Sequence, residues 1–205
     1  MDFFSQLKKL SEAVDDVNDA AEDFGKSTVE DFGEPAYSLY TSLELADMHH
    51  RIDVMDADGK LKYYTKSDII LLQGKTDLFD AEGNYVAHLE KRPISPHQKH
   101  FITMKDGRNI TLSTELFHIV QDVTNIEGLG WQIRGNIVGL AFNLVDEHGN
   151  PVATISRKAL SIHDKYKIDM YQPEEEAVVV AIVIQLEKML EQRRLNETAN
   201  NSSND

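Results

Sequence analysis

The chain has 205 residues, no cysteine, a formal charge of −14 and 41% hydrophobic residues. That length suits one domain with appendages, and without cysteine there is no disulfide framework, thiolate metal site or thiol nucleophile. The surplus of carboxylates argues against nucleic acid as the main partner, since backbone phosphates select basic surfaces; a cytoplasmic protein, at most peripheral at a membrane, is expected.

The first residues lack a basic region followed by an apolar core, so they do not read as a secretory signal. Instead Phe3, Leu7, Leu10, Val14, Val17, Ala21 and Phe24 recur at alternating steps of four and three. This heptad seam predicts an amphipathic helix over residues 1–31, able to pack on the rest of the chain, pair with a second copy or bind another protein. Residues 2–31 carry nine acids against three lysines, which disfavours an anchor in an anionic membrane. Gly25 and the Gly-Glu-Pro at 33–35 predict a linker over 32–37.

Between Tyr37 and Tyr171 no helical pattern occurs. Short alternating runs predict strands at Arg51–Met55, Tyr85–Leu89, Phe101–Met104, Val152–Ile155 and Lys165–Met170. The turns between them recur as Asp-Ala-Asp-Gly (56–59), Asp-Ala-Glu-Gly-Asn (80–84), Lys-Asp-Gly (105–107) and Asp-Glu-His-Gly-Asn (146–150). In each, glycine supplies the positive φ of a hairpin loop.

The segment is also duplicated. Leu78–Met104 aligns without a gap on Leu144–Met170 with eleven of 27 positions identical, among them Asp80/Asp146, Gly83/Gly149 and Lys99/Lys165. With a two-residue slip, Tyr63–Ile69 runs parallel to Trp131–Ile137. Two halves of about six strands each predict a closed antiparallel barrel of about twelve strands. Such a barrel is too wide for its own wall to fill.

The filling is expected at the end of the chain. From Ala177 to Ile184 no residue is polar, and Glu174, Glu175 and Glu176 precede this stretch. Eight apolar residues fall far short of the roughly 20 that span a bilayer. Leu186, Met189 and Leu190 keep a helical spacing with Glu187 and Lys188 on another face, so a helix is expected over about 175–194. A helix apolar on every side must be enclosed by protein. Residues 38–194 thus form the barrel with its central helix, and the Asn/Ser-rich residues 195–205 are expected to be disordered.

Catalytic signatures fail one by one. Gly74-Lys75-Thr76 lacks the earlier glycine of a phosphate loop, and Gly128-Leu129-Gly130-Trp131 has Ile133 at the third glycine position of a dinucleotide fingerprint. Asp56-Ala57-Asp58-Gly59 lacks the closing glutamate of a calcium loop, where Thr65 stands. The histidines, His49, His50, His97, His100 and His163 among them, have no metal-ligand spacing and are expected in solvated hairpins. Ser95 and Ser161 lack a nucleophile elbow. A non-enzymatic module without cofactor or metal is expected.

The constellation left is basic: Lys91, Arg92 and Lys99 in the first half match Arg157, Lys158 and Lys165 in the second. Paired clusters in an acidic chain can receive an anionic ligand or a lipid head group, since the local field outweighs net charge. Such residues also keep strand ends soluble.

The hairpin pattern in Ile-Asp-Val-Met-Asp-Ala-Asp-Gly and Phe-Asn-Leu-Val-Asp-Glu-His-Gly recurs beside Trp-Gln-Ile-Arg-Gly-Asn-Ile, the basic pairs and the terminal apolar helix. Over about Ser38–Leu190 the chain thereby resembles a bacterial member of the LURP-one-related family, in the tubby-like superfamily with phospholipid scramblases. The resemblance implies a twelve-stranded barrel around a hydrophobic helix. For function it implies little beyond the superfamily's range, in which tubby-like proteins bind phosphoinositides and scramblases act at membranes.

Overall fold

The computed structural model describes residues 30–43, 51–67, 75–92, 99–113, 123–139, 141–157 and 164–202. Twelve strands run in chain order: β1 (Tyr37–Leu43), β2 (Ile52–Asp56), β3 (Leu61–Ser67), β4 (Thr76–Asp80), β5 (Tyr85–Arg92), β6 (Lys99–Met104), β7 (Asn109–Ser113), β8 (Val123–Asn125), β9 (Gln132–Asn136), β10 (Ala141–Val145), β11 (Pro151–Arg157) and β12 (Asp164–Met170). A 3₁₀ turn at Pro173–Glu175 leads into α1 (Glu176–Ser202). The heptad segment lies outside the described residues, apart from Glu30 and Asp31, which are irregular.

All twelve strands belong to one antiparallel sheet, ordered β7-β6-β5-β4-β3-β2-β1-β12-β11-β10-β9-β8. The four tight turns form as their sequences dictate. Gly59, Gly83, Gly107 and Gly149 all have φ between 78° and 93°, and the Gly59, Gly83 and Gly149 amides donate to the Asp56, Asp80 and Asp146 carbonyls at 3.0 Å. The aspartate side chains finish the job. Asp56 accepts from the Asp58 and Lys60 amides, and Asp80 and Asp146 accept from the Asn84 and Asn150 amides.

The duplication is visible in the pairing. Ser67 faces Thr76, and Lys91 faces His100; in the second half Gly135 faces Phe142, and Arg157 faces Tyr166. Symmetry breaks at one junction. β1 pairs with β2 along Leu39–Leu43, but the equivalent strands β7 and β8 meet through a single bridge, where the Thr111 amide donates to the Glu127 carbonyl at 3.0 Å. The expected sealing of the barrel by hydrogen bonds is therefore not met. β8 is only three residues long, and the chain after it, rather than the strand itself, meets β7.

Gly128 makes that meeting possible. A Cβ added there would stand 2.0 Å from the Asn109 carbonyl oxygen, and its φ is +97°.

Inside the wall lies α1. Every residue from Val178 to Ile184 is 0% exposed, packed with Leu39, Val54, Leu78, Leu89, Ile102, Leu144, Ile155 and Ile168. Burying a side chain of this kind contributes about 1.5–3 kcal/mol, so the apolar rod and the row facing it form the dominant core. The helix runs past Arg194 to Ser202, through most of the tail expected to be disordered. At about 1.5 Å per residue α1 is roughly 40 Å long, against roughly 23 Å for a seven-residue strand. Its last turns therefore extend beyond the wall, and Asn196 is exposed.

Replacing Gly128 by alanine is expected to destabilise the fold by several kcal/mol, because backbone must move and φ is positive. Gly59→Ala, with nothing within 4 Å of the added Cβ, should cost only about 1–2 kcal/mol. Urea midpoints of the two variants check this; equal losses would show that the seam tolerates separation.

Candidate functional site

The up-and-down order gives the wall two unlike ends. The tight turns 57–60, 81–84, 105–108 and 146–150 share one end, where α1 enters. At the other end β1, β3, β5, β7, β9 and β11 finish and their successors begin.

The turn end is acidic and fastened. The Tyr37 and Tyr63 hydroxyls donate to the two oxygens of Glu176 at 2.5 and 2.7 Å, and Lys62 lies 3.9 Å from the same carboxylate. Burial, then the bond to Glu176, pushes both phenols well above their usual range. Arg108 of the β6–β7 turn donates to Glu175 at 2.5 Å. Asp146 is held down to about 2, first by its bond from the Asn150 side chain. These contacts fix where the helix starts. They engage the carboxylates of Glu175 and Glu176 at the helix start.

The far end carries the predicted basic residues. Lys91 and Arg92 close β5, Lys99 opens β6, Arg157 closes β11 and Lys165 lies at the start of β12; Lys158 lies outside the described residues, as do His49, His50, His97 and His163. The structure thus brings five of the six to one end of the wall, but splits them between faces. Lys91 pairs with the buried His100 and is an inner-row position. Arg92 pairs with Lys99 on the outer row, and Lys99 is 3.5 Å from Glu127. Arg157 pairs with the core residue Tyr166 and so holds the inner-row position equivalent to Lys91.

On the inner row a polar cluster meets α1. Gln185, Lys188 and Gln192 stand at i, i+3 and i+7, one stripe of the helix. The Gln185 amide nitrogen lies 2.8 Å from His100 Nδ1, the Lys91 ammonium donates to Gln192 Oε1 at 3.0 Å, and Lys188 donates to the Thr76 and Ser67 hydroxyls. Gln185 Oε1, in a residue 3% exposed, has no hydrogen-bond partner.

One sequence expectation is corrected here: His100 is not a solvated hairpin histidine but is 3% exposed. Glu187, on a different helix face from Leu186, Met189 and Leu190, is buried as well, at 4% exposed.

Among the described residues neither Lys91 nor Lys188 forms an ion pair; both bond to neutral oxygens. Desolvation lowers the pKa of each, with Glu191 and Glu187 opposing it at Lys188. Desolvation, helped by Lys91, brings His100 down to about 4. A neutral His100 accepting from Gln185 at Nδ1 carries its proton on Nε2, where it can donate. The stripe was present in the sequence as three polar residues interrupting an apolar helix at one spacing. Among the described residues no group of three metal-ligating side chains gathers, and no helix is long and apolar enough to cross a membrane.

Because folding depresses the His100 pKa, its neutral form is favoured in the fold. Its contribution is present above about 6.5 and is lost as pH falls towards about 4. The loss should reach the order of 3 kcal/mol. Denaturation midpoints measured between these limits should fall for the wild type and fall less for His100→Gln, which keeps an amide but cannot titrate; matching curves would refute the assignment.

The family model for LURP-one-related proteins matches residues 39–187. No curated protein matches the sequence. A crystal structure of a protein from Arabidopsis thaliana is similar, with 15% identity, a TM-score of 0.44, and coverage of 75% of this chain and 93% of that one. The matched span begins inside β1 and ends in α1, taking in all the later strands, and so the chain belongs to the LURP-one-related family.

Proposed function

We propose that the protein is a non-enzymatic binding module that receives an anionic ligand, a membrane lipid head group above all, at the end of its barrel-like wall opposite the tight turns. The observation that carries this reading is that basic residues of both repeats share one end: Lys91, Arg92, Lys99, Arg157 and Lys165 all lie at the end of the wall opposite the tight turns. A local field of this kind attracts anions despite a net charge of −14. Juxtaposed basic residues contribute about 1 kcal/mol each near an anionic leaflet.

Co-sedimentation with vesicles containing phosphatidylserine or a phosphoinositide tests the reading. The wild type should bind and be released by salt, and joint replacement of Arg92, Lys99, Lys158 and Lys165 by glutamate should weaken binding more than tenfold. Equal binding by both proteins, or by neither, removes it.

A second reading, a protein-interaction module acting through the heptad segment, is favoured by one anchor. Asn143 on the outer face of β10 donates to the Glu30 carbonyl at 3.3 Å, and Glu30 lies 3.7 Å from Arg134. Glu30 therefore sits on the outside of the wall, not in its core. Loss of self-association or of a captured partner on deleting residues 1–29 is the expected outcome; an unchanged monomeric mass in both forms, with no partner lost, counts against it.

A further inference from the structure

The two halves of the wall share one ancestry but differ where they face the end of the helix. In the first half the inner rows finish with Ser67 opposite Thr76 and Lys91 opposite His100. In the second half the same positions hold Gly135 opposite Phe142 and Arg157 opposite Tyr166. The helix is equally one-sided, since Gln185, Lys188 and Gln192 meet β3 to β6.

A polar cluster confined to one side of an apolar core costs stability unless every member is satisfied. Here it is not satisfied. Two ammonium groups rest on neutral oxygens, and the buried Gln185 Oε1 has no donor.

We propose that this half of the opening is a site for a single phosphate group, held between Lys91 on β5 and Lys188 on α1 with His100 and Gln185 at its inner end. The donor set fits a tetrahedral oxyanion. The two ammonium groups, the Ser67 and Thr76 hydroxyls and the His100 Nε2–H face several acceptor oxygens at once, as a phosphate presents. The orphaned acceptor selects further. Gln185 Oε1 needs a proton donor, and the protonated minority of a phosphate monoester, whose second pKa is near 6, supplies one as its P–OH. A carboxylate at neutral pH has no proton to offer. On binding, Lys91 exchanges the Gln192 carbonyl for phosphate oxygen, and Lys188 turns from hydroxyls to the anion. No bond is made or broken.

This inference rests on the anionic-ligand reading but adds a location inside the wall, distinct from the outer row of Arg92 and Lys99. The full chain is titrated by calorimetry with inorganic phosphate, with a short-chain phosphatidic acid below its micellar concentration, and with sodium chloride as control. The same proteins are tested on phosphatidylserine vesicles. Wild-type protein should bind phosphate or the soluble lipid, and Lys91→Met and Lys188→Met should each weaken that binding at least tenfold. Lys188→Arg should retain most of it. Lys188→Met should keep its vesicle binding and unfold no earlier than the wild type without ligand, since it removes a desolvated charge.

Binding of the soluble lipid with none of phosphate assigns the site to a lipid head group; binding of both assigns it to phosphate as such. Vesicle binding without either soluble ligand, or phosphate affinity unchanged in Lys188→Met, overturns the inner site and leaves the surface reading standing. Absence of binding in every arm removes both.

Discussion

A helix with no polar face cannot stand in water, and the structure is organised around that constraint. Residues 178–184 of α1 are buried on every side, which a flat sheet covering one side could not achieve. The wall must curl round them. Twelve strands reached through tight glycine turns supply the circumference, and their inner rows supply the matching apolar surface. The curl does not need a continuous ladder of hydrogen bonds to be effective. At the β7–β8 junction one bridge and the close approach of Gly128 suffice to hold the two edge strands together, because the helix behind them contributes the burial.

The same helix imposes a gradient along its axis. Its entry is held by Tyr37, Tyr63 and Arg108 on Glu176 and Glu175, with hydroxyl and guanidinium donors matched to carboxylates. Its exit is held less completely, by lysines on neutral oxygens and a glutamine amide beside a neutral histidine. One end is closed chemistry. At the other, two lysines rest on neutral oxygens, and it is also where the basic residues of both repeats gather.

Much of this was legible in the sequence because the signals are local. Asp80 and Gly83 specify their turn whatever surrounds them, and the repeat at Asp146 and Gly149 specifies the same turn again. The valine-rich stretch announces its own burial. What was not legible depends on which neighbour a residue meets. Lys188 and Gln185 turn towards β3 to β6, and only the wall's strand order could reveal that. Similarly, His100 belongs to an inner row only because Lys91 sits opposite. The tail through Ser202 reads as disordered from its asparagines and serines, but propagation from an established helix is far easier than nucleation. The duplication, taken alone, would pair β7 with β8 as β1 pairs with β2; the shortness of β8 defeats it.

The order of elements along the chain has a consequence for biosynthesis. The helix follows all twelve strands, so a growing polypeptide makes its container long before the object it contains. Until Val178–Ile184 emerge from the ribosome, Leu39, Leu78, Leu89 and Ile168 have no central partner to bury against. The nascent wall must therefore wait as a loose, partly hydrated layer, and consolidation is deferred until α1 has been made.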